Sequence, residues 1–214
     1  MGSIRAIDSK RVLCYIPKNF VLTLKDEYKI KNFIETGTFQ GDTSLWAADH
    51  FEKVITIEAS DEYYNTCKNK FKNKNNIDLY KGLSYEVLDN LKDEYLNAPA
   101  IFWLDSHWTG EGSFGKDIIH PLLPELKVIR QTGIIHFIFI DDLRFLSYPT
   151  RVGSGDEWPL VGDIFRTLNF NIGYEDDIFY NFSLLGDCIF AFPNDKKIMK
   201  LLNNFKEDIY INYV

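Results

Sequence analysis

The sequence predicts an α/β protein: a doubly wound, mostly parallel seven-stranded sheet that ends in an antiparallel strand pair. Three observations carry this. Short, continuously apolar runs recur along the chain, as expected of parallel strands buried on both faces. Stretches with helical spacing separate them, which implies right-handed crossovers. Most of the runs end in an acid or a glycine.

The first 30 residues read as an N-terminal extension to a single domain spanning 1–214. Strand candidates follow at KNFIETG (31–37), VITIEAS (54–60), NIDLYKG (76–82), AIFWLDSHW (100–108) and IIHFIFIDD (134–142). The helical stretches between them are DTSLWAADHF (42–51), with Asp42 in the N-cap position, ASDEYYNTCKNKF (59–71), SYEVLDNLKDEYL (84–96), with Ser84 as N-cap, and HPLLPELKVIRQTG (120–133). In the last of these Leu122, Leu126 and Ile129 fall at helical spacing, and Gly133 closes the helix. Residues 106–118 and 143–160 read as long loops, and long loops in compact domains commonly carry function. VGDIFRTLNF (161–170) reads as a short helix, 171–193 as two antiparallel strands, and KKIMKLLNNF (196–205) as a closing helix.

Composition narrows the function. The 214 residues are 45% hydrophobic and 26% charged, enough for one full core. No apolar run approaches the roughly 18–20 residues that cross a bilayer, and the N-terminus shows no apolar signal region. Cys14, Cys67 and Cys188 are scattered and odd in number, so neither a disulfide framework nor a zinc site is expected, and a reducing cytoplasm is the simplest setting. The net charge of −7 argues against a nucleic-acid partner. The one basic cluster, 68–76, reads as a solvated helix end. The oligomeric state stays open, with a homodimer among the options.

The loop after the first strand, FIETGTFQGDTSLWAA (33–48), is the most informative stretch. Glycines at 37 and 41 permit positive φ and close backbone approach. The helix behind them turns its free N–H groups toward the carboxyl end of the sheet, where ligands bind in open α/β folds. The Gly-x-Gly-x-x-Gly dinucleotide fingerprint is absent. The order Glu35-x-Gly37-x-Phe39-x-Gly41 resembles instead the first motif of class I S-adenosylmethionine-dependent methyltransferases. The resemblance runs from about Lys31 to Pro193 and implies a Rossmann-like sheet with S-adenosylmethionine as cofactor. It assigns Glu35, Thr36, Gly37, Thr38, Phe39, Gly41, Ser84 and Asp105 to the cofactor, and places Glu58, about 20 residues after Gly37, on the ribose hydroxyls. Thr38 and Phe39 depart from the smaller residues usual in that loop.

Asp105 ends the fourth strand, and Asp141 and Asp142 end the fifth, so neighbouring parallel strands would bring three carboxylates to one rim. Such a set needs a counter-ion or raised pKa values, and Mg2+ or another hard divalent cation suits it. The pattern is similar to metal-dependent O-methyltransferases acting on sugars and catechols. It implies O-methylation of a sugar, glycan precursor or similar small molecule. His107 is the candidate general base, with Asp105 beside it in the catalytic set; an imidazole pKa of about 6.5 suits removal of a hydroxyl proton. Trp108 offers a stacking face and Arg144 a contact for an anionic group of the substrate. The alternatives are a nicotinamide-dependent oxidoreductase on a similar sheet and a non-catalytic module that keeps the fold.

Overall fold

A computed structural model describes residues 16–106, 120–147, 158–170 and 178–211. The chain runs α1 (Lys18–Tyr28), β1 (Asn32–Thr36), α2 (Asp42–Ala48), β2 (Lys53–Glu58), α3 (Asp61–Lys70), β3 (Ile77–Lys81), α4 (Ser84–Tyr95), β4 (Ile101–Leu104), α5 (Leu122–Gln131), β5 (Phe137–Ile140), α6 (Leu143–Leu146), α7 (Val161–Asn169), β6 (Tyr180–Leu185), β7 (Cys188–Pro193) and α8 (Lys196–Ile211).

The sheet has seven strands in the order β3-β2-β1-β4-β5-β7-β6. Strands β1 to β5 pair in parallel; β7 pairs antiparallel to both β5 and β6. This is the predicted architecture. The order reverses between β1 and β4, so the switch point lies where the loop after β1 meets the end of β4.

Alternating side chains divide the core into two layers, as strand geometry requires. On one face Ile34, Ile55, Ile57, Phe102, Ile138 and Ile140 pack with Leu88 of α4, Leu126 and Ile129 of α5, and Ile164 and Leu168 of α7. On the other, Phe33, Phe137, Phe139, Phe190 and Phe192 pack with α1, α2 and α8. The Phe139 and Phe190 rings stack at 4.4 Å between centroids, and Phe20 of α1 meets Phe190 edge-on at 5.3 Å.

Phe20, Val21 and Leu24 of α1 are fully buried in the second layer. Their i, i+1, i+4 spacing is the amphipathic signal of a core helix. Asp42 and Ser84 are first helical residues and not N-caps; the caps are Gly41 and Leu83, neither with a side-chain bond. The stretch read as a loop from 143 opens with the single turn α6; residues 148–157 lie outside the described residues. Gly133 takes φ 65° immediately after α5, as a helix-ending glycine does. Among the described residues no helix is long and apolar enough to cross a membrane.

Candidate active site at the carboxyl rim

The loop between β1 and α2 is built from unusual backbone. Gly37, Phe39 and Gly41 all have positive φ, at 84°, 47° and 77°. For Phe39 this conformation is costly. It is held because the Phe39 N–H donates to Glu58 Oε2 at 2.8 Å and the ring packs on Tyr63. The N–H groups of Gly37 and Thr38 donate to the Ile57 carbonyl at 3.0 and 3.3 Å, and the Thr38 and Thr56 hydroxyls bond at 2.7 Å. A Cβ on Gly37 would stand 2.3 Å from the Asp105 carbonyl oxygen. The glycine is therefore demanded by the passage of the loop over the end of β4, and not only by a ligand. A Cβ on Gly41 would meet the Phe71 ring at 2.5 Å.

Glu35 lies beneath this loop at 2% exposure. The Ser44 hydroxyl donates to its Oε2, and so does Thr56 Oγ1 at 2.9 Å. Burial pushes its carboxyl up to about 8, although both hydroxyls pull the other way. Thr36, also assigned to the cofactor, is fully buried in β1. Glu58, at the end of β2, accepts from the N–H groups of Phe39 and of Ser60, the latter at 2.7 Å. Burial raises its pKa and these amides oppose the rise. The Ala59 amide bonds Glu58 as well, and an ionised carboxylate has about four acceptor sites. A cavity of about 350 Å³ opens beside the loop, bordered by Glu35, residues 37–43, Asp105 and the start of α1. That volume is within the usual range for small-ligand sites.

The second half of the rim is acidic. Asp105 follows β4 and Asp141 follows β5, one step past the paired Leu104 and Ile140. Burial, and then the Asp105 carboxylate, push Asp141 up to about 7; its Oδ1 is buried without a hydrogen-bond partner among the described residues. Asp142 takes φ 62° and turns the chain into α6. Its carboxylate points to a partner the sequence reading missed, Asp187, in the two-residue turn between β6 and β7. Carboxylate oxygens of Asp141, Asp142 and Asp187 lie within 4.8 Å of one another. Arg144 spans the last two: its guanidinium forms ion pairs with Asp142 and Asp187, and its backbone N–H donates to Asp187 Oδ1 at 3.0 Å. Arg144 is thus part of the rim's own charge balance. The Gly186-Asp187 hairpin dipeptide was the available sequence signal for this corner.

Glu125 of α5 was also missed. It is 1% exposed and accepts from Ser106 Oγ at 2.5 Å, and Ser84 Oγ lies 3.3 Å from Ser106 Oγ. Ser84 is thereby placed beside the end of β4, next to Asp105. Only tertiary packing distinguishes Glu125 from an ordinary surface acid on an amphipathic helix. His107 and Trp108 lie outside the described residues.

The strand order is that of a Rossmann-like sheet closed by a C-terminal antiparallel pair. No protein-family model and no curated protein sequence matches the chain. Among solved structures it is similar to a candidate caffeoyl-CoA O-methyltransferase from Staphylococcus aureus, at 15% identity over 83% of this chain and 82% of that one, with a TM-score of 0.50. Two further neighbours are the candidate methyltransferase yhhF from Escherichia coli (9% identity, 82% and 83% covered, TM-score 0.48) and DhpI in complex with SAH (9%, 83% and 82%, 0.45). At these identities the likeness is one of fold.

Proposed function

We propose that this protein is an S-adenosylmethionine-dependent methyltransferase that methylates a hydroxyl of a sugar, glycan precursor or similar small polar molecule in the cytoplasm. The observation that carries the reading is the cavity bordered by the positive-φ loop 37–41, a loop that Glu58 holds through the Phe39 N–H. In this reading Glu58 accepts from the ribose hydroxyls with the acceptor capacity its amide partners leave open. The loop backbone, Thr38 and Glu35 border the amino-acid end of the cofactor, with Thr36 buried behind them, and Ser84 and Asp105 lie toward its other contacts. The net charge of −7 supports a small-molecule acceptor over a nucleic acid.

S-adenosylmethionine brings an already electrophilic methyl carbon, so the protein needs no covalent intermediate. Its task is to hold the acceptor oxygen in line at near-attack distance. His107 is the proposed group that takes the hydroxyl proton, and Trp108 the proposed face on which a sugar ring stacks. For a divalent ion, the donor set of Asp105, Asp141 and Asp142 fits in part. Asp105 and Asp141 repel each other, and Asp141 Oδ1 has no partner among the described residues, whereas Asp142 already has Arg144. An ion held there would lower the pKa of an acceptor hydroxyl.

Thermal denaturation with candidate ligands tests the reading. S-adenosylhomocysteine should raise the melting temperature and NAD should not; stabilisation by NAD alone would replace the methyltransferase with an oxidoreductase. Anomalous scattering from Mn2+-soaked crystals tests the ion. A peak about 2.0–2.6 Å from Asp105 and Asp141 supports it, and its absence assigns these acids a role without metal.

A further inference from the structure

The cavity beside residues 37–41 is bordered by more than the rim of the sheet. Ile16 and Lys18 reach it from the start of α1. Its carboxylates are Glu35, Asp42 and Asp105, and the cation among its lining residues is Lys18. Asp42 is already matched, because the Lys70 ammonium lies 2.6 Å from its carboxylate and 2.7 Å from the Gln40 carbonyl. Glu35 is held protonated by burial, and Asp105 places a carboxylate on the cavity wall, which favours an ammonium group on a ligand. An amino-acid ligand carries both charges, so the same cavity must supply a cation for the second.

Lys18 is placed for that. It is exposed, its Nζ sits 5.2 Å from the centroid of the Trp46 ring, and it pairs with no carboxylate among the described residues. The indole face holds the ammonium in position while leaving it able to bond an anion. Phe20, Val21 and Leu24 fix α1 in the core, so the lysine stands on a rigid element. We infer that Lys18 binds the α-carboxylate of the amino-acid end of the cofactor and makes α1 a specificity-determining part of the site. This rests on the S-adenosylmethionine reading given above.

Calorimetry on the full chain tests it with two probes, S-adenosylhomocysteine and 5′-methylthioadenosine, which lacks the amino-acid group. Lys18→Met should weaken S-adenosylhomocysteine by about 10- to 100-fold, the loss expected for a charged hydrogen bond. It should leave 5′-methylthioadenosine within about twofold, the latitude left by a contact that probe cannot make. Lys18→Arg should retain most of the S-adenosylhomocysteine affinity. Unchanged S-adenosylhomocysteine binding in Lys18→Met, or an equal loss for both probes, overturns the role of Lys18 and leaves the cofactor reading standing. A wild-type protein that binds neither probe overturns the cofactor reading, and the assignment of Lys18 with it.

Discussion

Replacing Gly37 by alanine tests how tightly the loop after β1 is pressed against β4. The added Cβ would lie 2.3 Å from the Asp105 carbonyl oxygen, 2.7 Å from its carbon and 3.0 Å from Ser106 Cα. All three are backbone atoms, so no side chain can swing aside. Relief requires movement of the loop, whose Gly37 N–H bonds the Ile57 carbonyl, or of the end of β4, where the Asp105 N–H donates to the Thr36 carbonyl at 3.0 Å. Two costs combine: about 1–2 kcal/mol for a non-glycine residue at positive φ and about 1–3 kcal/mol for overpacking. The expected loss is about 2–5 kcal/mol, or a fall in melting temperature of about 4–20 °C for a chain of this size. Gly133→Ala is the control, because Gly133 also has positive φ but its added Cβ meets nothing within 4 Å. It should lose only the positive-φ cost of about 1–2 kcal/mol, without the overpacking. Urea unfolding of both variants, compared at equal slope, reads the difference directly. Equal midpoints for the two variants would refute the close passage of loop over strand.

Three further outcomes are expected. Glu58→Ala should weaken S-adenosylhomocysteine by about 1–3 kcal/mol, the cost of losing charged hydrogen bonds; unchanged affinity by calorimetry removes Glu58 from the site. Arg144→Ala should destabilise by about 2–4 kcal/mol in chemical denaturation, since it takes the guanidinium away from two carboxylates that are 4% and 5% exposed; this is discounted from the buried-pair range because the guanidinium itself is 43% exposed. Glu35 has a folded pKa of about 8 against an ordinary 4.5, so the folded state holds a proton that the unfolded state has released between those values. Its contribution to stability is therefore present at low pH and lost as pH rises from about 4.5 to 8. Glu35→Gln should flatten the fall in urea midpoint between pH 5 and 8, and an unaltered pH slope would show that Glu35 ionises freely.

The sheet was legible because its central strands are buried on both faces. Phe137–Ile140 and Ile101–Leu104 are apolar at every position, and no surface element reads that way. The strand ends were legible too, since an acid closing an apolar run marks the point where the chain leaves the core. The remaining features depend on contacts between distant segments. Asp187 lies 45 residues beyond Asp142 and joins it only because β7 pairs with β5. Glu125 becomes a site neighbour only when α5 packs against the end of β4, where Ser106 meets it. The positive φ of Phe39 has no glycine to announce it and follows from the bond to Glu58. Helix α1 carried its signal in Phe20, Val21 and Leu24, but the apolar face is short and lies ahead of the first strand.

The glycine loop also bears on how a ligand would be recognised. Each of residues 37–40 is fastened from outside the loop: Gly37 and Thr38 to the Ile57 carbonyl, Thr38 to Thr56, Phe39 to Glu58 and, through its carbonyl, to the Cys67 thiol, and Gln40 to Lys70. Fixing a backbone residue costs about 1–2 kcal/mol in conformational entropy. Here that cost falls on folding and not on association, so the receptor is preorganised. Such a loop discriminates by rigidity. A molecule whose shape does not match it finds no alternative loop conformation to settle into, and amide exchange across 37–39 should be slow before any ligand arrives and change little afterwards.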